Sequence, residues 1–377
     1  MTAVMGHGLQ APGGTVLPEG PTVKVVDQNG TPMSGISVTY QVTSGGGSVP
    51  VSSRQTDATG LARVPWILGR TPGPGQEVVA TAGSLTVTFQ ATATESAPGK
   101  SYYGRSQYTE YLPGDLPLVL SAAHGGHLKP DEIPDRSYGT TGSDRNTQEL
   151  ARQIRQVIFD LTGRYPHVII SRLHRIKLDP NREIVEAAQG DPEAERAWYE
   201  FQTYIDEARA LVEDSYPRGL YIDLHGHGHD IQRLELGYLL SSNDLTQSDE
   251  SLSGASYVSK SSLKALVQSS GSTLAELVRG PFSLGTLMEV EGLSSVPSLS
   301  QPNPGGNPFF SGGYNTRRHG SRDGGDVSGI QIECNYSGVR DTEENRQTFA
   351  VALGQALEIF FPQFLEMPLA ANSTSQN

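Results

Sequence analysis

Three histidines follow an apolar run, separated from one another by single glycines. The run Gly219-Leu-Tyr-Ile-Asp-Leu is typical of a buried β-strand, and His225, His227 and His229 come directly after it. Asp223 and His225 are two residues apart, so on a strand their side chains share a face. Neutral imidazole is a common metal ligand, and a nearby carboxylate often fixes its tautomer. The pattern therefore indicates a metal-binding or catalytic site at the end of this strand.

Other chemically useful side chains also stand at or near strand ends or helix starts. His124 follows an apolar run, Asp144 precedes a helix-like pattern and is a good N-cap for it, and Glu333 lies in a further buried strand. Two histidines, a carboxylate and one open position suit a catalytic zinc ion. A further carboxylate at Glu333 suits a general base that acts on water. We therefore expect His124, Asp144, His225 and Glu333 to meet in one site.

Composition limits the classes of partner. The chain has 377 residues, enough for two domains, and its net charge of -13 argues against a nucleic-acid partner. No apolar run approaches the ~18 residues that a membrane helix needs, and no basic cluster suggests a membrane surface. The first residues lack the apolar segment of a signal peptide, so none is visible in this chain. A single cysteine excludes an internal disulfide.

Residues 18–97 have the pattern of an all-β sandwich. Short runs of β-branched residues alternate with turn sequences such as Asp27-Gln-Asn-Gly-Thr-Pro, and no helical pattern interrupts them. The stretch resembles the bacterial Ig-like domains of the invasin/intimin class, most clearly in Val-Val-Asp-Gln-Asn-Gly-Thr-Pro and Thr56-Asp-Ala-Thr-Gly-Leu-Ala. The resemblance implies a secreted or cell-surface bacterial protein, in which this domain is a spacer or contacts a surface or polymer.

The remainder of the chain alternates between strand and helix patterns. Such alternation predicts an α/β domain with a mostly parallel central sheet and helices on both faces. We expect this domain to span residues 105–370, after a linker at 98–104. Residues 1–17 are rich in glycine and proline and are expected to be loose, as is the tail at 371–377.

The second domain resembles the N-formylglutamate amidohydrolases. The carriers appear in the order of that family: Ala123-His-Gly-Gly-His-Leu-Lys-Pro130, Leu178-Asp-Pro-Asn-Arg182, Tyr221-Ile-Asp-Leu-His225, Ser311-Gly-Gly-Tyr-Asn-Thr-Arg317 and Ile330-Gln-Ile-Glu-Cys-Asn-Tyr336. The resemblance implies a zinc carboxypeptidase-like α/β fold. It also implies one zinc ion per chain and hydrolysis of an amide on an acidic N-acyl amino acid.

The resemblance also assigns the metal ligands. His124 and His225 match the two metal histidines of the family, and Asp144 matches a ligand at the start of the following helix. His127 and Glu132 are the alternatives to Asp144, because in zinc carboxypeptidases a glutamate follows the first histidine by three residues, where this chain has His127.

The catalytic and substrate-binding residues are assigned in the same way. Glu333 matches the carboxylate that activates water, and Asn181 and Arg182 match the pair that binds a substrate carboxylate. Arg172, Arg233 and Arg317 are secondary candidates for binding an anion.

Two functions from different classes follow. The first is a zinc-dependent hydrolase that cleaves an amide, or an ester, in a small carboxylate-bearing substrate such as an N-acyl amino acid, a γ-glutamyl compound or a peptide. The second is a surface adhesin or carbohydrate-binding protein whose α/β domain is not catalytic. Metal analysis separates them, because a binding module need hold no stoichiometric zinc.

Overall fold

A computed structural model of the chain describes residues 1–370, and the predicted loose tail at 371–377 lies outside the described residues. The strands are β1 Thr2–Met5, β2 Leu9–Pro12, β3 Thr22–Lys24, β4 Ser37–Ser44, β5 Ser53–Gln55, β6 Leu61–Arg63, β7 Gly73–Ala82, β8 Leu85–Thr94, β9 Tyr102–Tyr103, β10 Thr109–Leu112, β11 Leu118–Ala122, β12 His167–Ser171, β13 Gly219–Gly226, β14 Leu234–Gly237, β15 Ser295–Val296 and β16 Val327–Cys334. The helices are α1 Thr147–Thr162, α2 Ile184–Ala188, α3 Pro192–Ser215, α4 Asp249–Leu252, α5 Ala255–Lys260, α6 Lys264–Ser270, α7 Leu274–Arg279, α8 Leu284–Val290, α9 Tyr314–His319 and α10 Glu343–Phe360.

The N-terminal part is a β-sandwich of two sheets. One sheet has the strand order β2-β8-β7-β4-β5 and the other has the order β1-β3-β6. Burial alternates along β7 and β8, as expected when one face of a sheet covers a core. Trp66 and Phe89 are fully buried in that core, which is separate from the cores of the second domain. The predicted all-β architecture of this region is therefore present.

The prediction that residues 1–17 are loose is wrong. Strand β1 pairs antiparallel with β3, and β2 pairs parallel with β8, so the N-terminal residues contribute a strand to each sheet. Glycines and prolines around these short strands concealed them in the sequence. Within the predicted linker at 98–104, Tyr102 and Tyr103 form β9 and pair with β10, so part of that segment belongs to the second domain.

The second domain contains a sheet with the order β15-β14-β16-β13-β11-β12-β10-β9. The central strands β16, β13, β11 and β12 are parallel, whereas β14 and β10 run antiparallel to their inner neighbours. The sheet is therefore parallel at its centre, as predicted, and mixed overall because of the antiparallel strands toward its edges. Because the carboxyl ends of the parallel strands meet at one edge, the residues that follow β11 and β13 lie beside each other.

The two faces of the central strands differ in chemistry. On β13, Leu220, Ile222 and Leu224 face a large apolar core that includes residues of α1 and α10. The alternate residues Tyr221, Asp223 and His225 face the other side. There Tyr221 packs in a second core with residues of α3. Helices thus cover both faces of the sheet. Asp223 and His225 lie on the same face as α3, toward the carboxyl end of β13.

One helical segment is long and apolar enough to span a membrane by those criteria alone. It is Glu343–Leu365, which contains α10, and 61% of its most apolar window is buried inside the protein. Phe349, Leu353 and Phe360 of this segment lie in the main apolar core. The segment packs as a core helix, because these apolar side chains contact other buried apolar side chains of the domain.

The sandwich contacts the second domain through α3. The first half of α3 carries carboxylates that pair with arginines of the sandwich, and further pairs lie toward its end. The pairs are Arg54–Glu195 at 2.5 Å, Arg63–Glu193 at 2.7 Å, Arg70–Glu207 at 2.8 Å and Arg70–Asp214 at 2.7 Å. Arg196 of α3 also donates to the backbone carbonyl of Leu17 at 2.8 Å. The sandwich is therefore docked along one helix of the α/β domain by polar contacts.

We expect His167 to make folding sensitive to acid. The residue lies buried on β12 with its Nδ1 3.0 Å from the Tyr111 hydroxyl, and burial, which Asp115 opposes, lowers the pKa of His167 to about 4. A histidine with a depressed pKa stabilises the fold above its unfolded pKa of ~6.5, and that stability is lost as the pH falls toward 4. The expected loss is about 3 kcal/mol.

Urea denaturation of the wild type and His167→Gln, at pH 7 and at pH 4.5, tests this expectation. The free energy of unfolding should fall less with acidification in the variant, because glutamine does not titrate. Equal falls in both proteins would show that His167 does not contribute.

Candidate metal centre

Three buried side chains converge at the carboxyl edge of the sheet. His124 follows β11, His225 lies near the end of β13, and Asp144 lies in the loop before α1. Asp144 Oδ2 is 3.2 Å from Nδ1 of each histidine, and the two Nδ1 atoms are 3.1 Å apart. Donors around a tetrahedral ion with bonds of ~2.0–2.1 Å lie roughly 3.3 Å apart. The three atoms therefore have nearly the spacing of three zinc ligands.

The hydrogen bonds of the two imidazoles leave the Nδ1 atoms available as ligands. His124 Nε2 is 2.7 Å from Asp179 Oδ1, and His225 Nε2 is 2.9 Å from Asp223 Oδ2. Since a carboxylate accepts, these bonds assign the proton of a neutral imidazole to Nε2. Two Nδ1 lone pairs and a carboxylate oxygen then face one another, an arrangement that a cation stabilises. The donor set fits a divalent metal.

The electrostatics of the cluster agree with this interpretation. Burial opposes a charge on His225, but Asp223 and Asp144 outweigh it and raise the pKa of His225 well above its ordinary value. Burial likewise opposes ionisation of Asp144, yet His124 and His225 hold its pKa well below the usual range. The carboxylates that favour a proton here also attract a cation, and a metal that binds would displace that proton from Nδ1.

Both outer carboxylates are held in place by further contacts. Asp179 accepts from Arg175 Nε at 2.9 Å and from the Asn181 backbone N–H at 3.1 Å. Asp223 accepts from the Ser121 hydroxyl at 2.7 Å. Such contacts fix the orientation of the imidazoles before a metal binds.

Asp144 does not cap α1. The helix begins at Thr147 after Asn146, which is the N-cap residue and has a left-handed backbone. The Asp144 carboxylate instead accepts from the Gly226 backbone N–H at 3.2 Å and faces the imidazoles, while its carbonyl accepts from Thr147. The expectation of an Asp144 cap is wrong, because the chain makes one more turn between this residue and the helix.

The alternative ligands lie elsewhere. His127 has a side chain that is 60% exposed and 3.1 Å from Glu149. Glu132 accepts a hydrogen bond of 2.6 Å from the Tyr108 hydroxyl. Neither belongs to the group formed by His124, Asp144 and His225.

Glu333 lies beside the candidate metal ligands. Parallel pairing of β13 with β16 places Glu333 in register with His225, so both side chains leave the same face of the sheet. Gln331 Nε2 donates to Glu333 Oε1 at 3.0 Å. Burial, with Asp144, Glu235 and Asp223 adding to it and His225 opposing it, raises the pKa of Glu333 to about 8. A cation bound nearby favours the ionised carboxylate.

A cleft of about 220 Å³ opens onto the cluster. Most of its lining residues have polar side chains: His124, Thr140, Asp144, Arg175, Asn181, Arg182, His225, Gly226, Phe310, Gly312, Gly313, Gln331 and Glu333. Asn181 Nδ2 is 3.3 Å from His225 Nε2, and its Oδ1 accepts from the Asn315 backbone N–H at 2.8 Å. Arg182 is anchored by its own contacts to Glu186 at 3.2 Å and to the Asn181 carbonyl at 2.7 Å. The cleft thus combines the candidate metal ligands with cationic and amide donors.

The other predicted arginines do not line this cleft. Arg172 Nη1 donates to the Gln107 carbonyl at 2.9 Å, and Arg317 is exposed with its Nε 3.8 Å from Asp323. Arg233 is buried beside β14, and its Nε and Nη2 have no hydrogen-bond partner among residues 1–370. Of the five predicted substrate-binding residues, Asn181 and Arg182 are the two that reach the cleft.

A second group of potential ligands consists of His227, His229 and Glu235. The polar contacts of His227 and His229 are hydrogen bonds within the protein. His227 Nε2 is 2.7 Å from the Arg233 carbonyl and its Nδ1 accepts from the His229 backbone N–H at 3.1 Å, while His229 Nδ1 is 2.8 Å from Glu235 Oε1. Unlike the first group, it contains no pair of facing lone pairs, so hydrogen bonding accounts for it without a metal.

Sequence reasoning missed the supporting residues of the site. Asp179 lies within the motif that carried the family resemblance, but nothing in the sequence shows that its carboxylate reaches His124 across 55 positions. Arg175, Gln331 and Phe310 are also unassigned by their sequence context. For Asp223, the signal was available in its two-residue spacing from His225.

Comparisons with known proteins return the two kinds of structure that the motifs resemble. An N-formylglutamate amidohydrolase from Ralstonia eutropha JMP134 is 14% identical, with 66% of this chain and 95% of that chain covered and a TM-score of 0.38. The N-acetylmuramyl-L-alanine amidase Ami1 from Mycobacterium abscessus is 13% identical, with 65% and 97% covered and a TM-score of 0.32.

The N-terminal region has neighbours of another kind. Invasin, a bacterial integrin-binding protein, is 21% identical, with 32% of this chain and 22% of that chain covered and a TM-score of 0.22. The chain spans between 22% and 56% of the length of the invasin and intimin structures that it matches. No protein-family model matches the sequence, and no curated protein matches it.

Proposed function

We propose that the protein is a zinc-dependent hydrolase of amide bonds with a zinc carboxypeptidase-like catalytic domain. The observation that carries the proposal is the convergence of His124 Nδ1, His225 Nδ1 and Asp144 Oδ2 within 3.2 Å of one another, next to a buried glutamate. Three protein ligands and an open side toward a cleft are the composition of a catalytic zinc site. Zinc content and amide hydrolysis by the purified chain are the measurements that test it.

The residues around the metal have separate tasks. A zinc ion held by His124, Asp144 and His225 supplies Lewis acidity, which lowers the pKa of water and polarises a carbonyl. Glu333 accepts a proton from the attacking water and donates it to the leaving nitrogen. Asp179 and Asp223 hold the two imidazoles in the orientation that the metal requires. The same residues could hydrolyse an ester, because an ester leaving group requires less protonation than an amide nitrogen does.

The substrate is proposed to carry a carboxylate near the scissile bond. Arg182 and Asn181 line the cleft, and the planar guanidinium of arginine binds a carboxylate with two hydrogen bonds. The cleft is small, which fits an N-acyl amino acid, a γ-glutamyl compound or one end of a peptide.

Arg182→Ala should raise KM for carboxylate-bearing substrates by about 10- to 100-fold and much less for the corresponding neutral amides. The reason is that the variant loses charge-assisted hydrogen bonds to the substrate carboxylate. Arg322→Ala is a matched control, since the two side chains are 34% and 33% exposed and each lies near a carboxylate, but Arg322 does not line the cleft. Equal changes in KM for acidic and neutral substrates would contradict the role.

The N-terminal sandwich is proposed to hold the enzyme at the bacterial cell surface or against a polymer. Its all-β architecture and its separate core support a module with its own task. A purely adhesive function for the whole chain has less support, because burying two imidazoles and the carboxylates of Asp144 and Glu333 at one cleft costs stability unless a ligand compensates for it.

A further inference from the structure

A larger groove adjoins the catalytic cleft. It has a volume of about 530 Å³ and is lined by Pro134, Asp135, Arg136, Ser137, Tyr138, Ile184, Val185, Ala188, Gln189, Gly190 and Glu195. Two chain segments run from the groove to the cleft. One begins at Arg136 and ends at Thr140, and the other begins at Val185 and ends at Arg182. The groove therefore lies next to the Arg182 end of the cleft, because Tyr138 and Ile184 of the groove are each two residues from a residue of the cleft.

Most polar groups of the groove already have partners. Gln189 Oε1 accepts from the Ser137 backbone N–H at 2.7 Å, and its Nε2 donates to the Tyr138 carbonyl at 2.9 Å. Asp135 pairs with Lys177 at 2.8 Å, and Glu195 pairs with Arg54 of the sandwich at 2.5 Å. What remains for a ligand is apolar surface, including the exposed side chains of Tyr138 and Val185.

Arg136 is the exception among these polar groups. Its side chain is 1% exposed, and its Nη1 donates to the carbonyls of Thr140 at 2.8 Å and Arg175 at 3.0 Å. Its Nη2 is buried and has no hydrogen-bond partner in the described residues. The guanidinium charge is paired with Asp179, whose Oδ2 lies 3.9 Å from Nη1, but a buried N–H group without an acceptor is still costly. Nη2 therefore marks a place where a ligand acceptor is expected.

We propose that this groove is an extended subsite for a peptide, with Arg136 binding an acceptor oxygen such as a carboxylate and Tyr138, Ile184 and Val185 contacting an apolar side chain. The proposal rests on the proposed function, because the cleft beside it must hold the scissile amide and the acidic residue. It narrows the substrate class from a single N-acyl amino acid to a peptide in which an acidic residue adjoins an apolar one.

Binding to full-length Glu333→Gln tests the groove independently of turnover. Isothermal titration calorimetry in the presence of zinc compares acetyl-Glu with acetyl-Leu-Glu and acetyl-Glu-Leu, which extend the ligand at either end. At least one dipeptide should bind about tenfold more tightly than acetyl-Glu, since it buries an additional apolar side chain. Equal affinities for all three ligands would overturn the proposal.

Val185→Glu, in the same Glu333→Gln background, should remove that gain, because it places a charge on the apolar wall. Val290→Glu is the matched control: Val185 and Val290 are 75% and 74% exposed, and Val290 lies on α8 outside the groove. Arg136 itself is left intact, since its replacement would strip two backbone carbonyls of their donor. A gain in affinity that survives Val185→Glu would also overturn the proposal.

Failure of the wild type to hydrolyse acetyl-Glu or either dipeptide, with the binding gain present, would instead count against the proposed function alone.

Discussion

Glu333→Gln should lower kcat by ~10²–10⁴ while leaving the zinc content unchanged. Glutamine keeps the shape of the side chain but cannot accept a proton from water. Glu333 is placed for that task by the register of β16 with β13, which sets it beside His225 at the edge of the cleft. The proposed metal ligands are other residues, so the variant should still bind one equivalent of zinc. Steady-state kinetics and elemental analysis on the same preparation give both values.

The control for this variant is Glu291→Gln. Glu291 is also a glutamate that follows an apolar stretch, but it is exposed at the end of α8 and does not line the cleft. Its replacement should leave kcat within about twofold of the wild type. A Glu333→Gln enzyme with nearly full kcat would remove Glu333 from the mechanism.

His225→Ala should lose most of the bound metal. The wild type should hold about one equivalent of zinc, and the variant retains only two of three protein ligands. Elemental analysis after dialysis against metal-free buffer measures the difference. His127→Ala is the control, because this exposed histidine was the alternative ligand and its Nε2 lies 3.1 Å from Glu149 on the surface. If His127→Ala loses the metal and His225→Ala keeps it, the ligand set is wrong.

Replacing Asp179, which contacts His124 from behind the site, should weaken metal binding less than replacing a proposed ligand does. Asp179→Asn keeps the size of the side chain but weakens the contact that holds His124 Nε2 at 2.7 Å. Loss of such a supporting carboxylate typically lowers metal affinity by about 10–100-fold. A competition titration with a chelator resolves that change, whereas the metal content at excess zinc should remain near one equivalent.

The sequence contained the parts of this site that depend on strand ends. His124, His225 and Glu333 follow or end apolar runs, and parallel strands necessarily bring such ends to one edge. The position of Asp144 depends on an irregular loop between β11 and α1, and periodicity carries no information about such a loop. The contact between Asp179 and His124 is set by the tertiary fold alone.

The fold, like the site, has features that sequence periodicity predicted and features that it did not. Periodicity indicated the strands of the sandwich and the alternation of the second domain, because burial imposes those patterns. It could not give strand direction, so the antiparallel pairing of β14 and β10 with their inner neighbours was missed. The strands β1 and β2 were also missed, since each has only four residues and lies among glycines.

Titration of the metal-free protein with zinc, while hydrolysis of an acidic N-acyl amino acid or dipeptide is followed, tests the central claim most directly. That claim is that His124, Asp144 and His225 hold one zinc ion that amide hydrolysis requires. Activity should be absent without zinc, rise in proportion to the zinc added and stop rising at about one equivalent per chain. A metal-free protein with full activity, or a protein that binds no zinc, would contradict the claim.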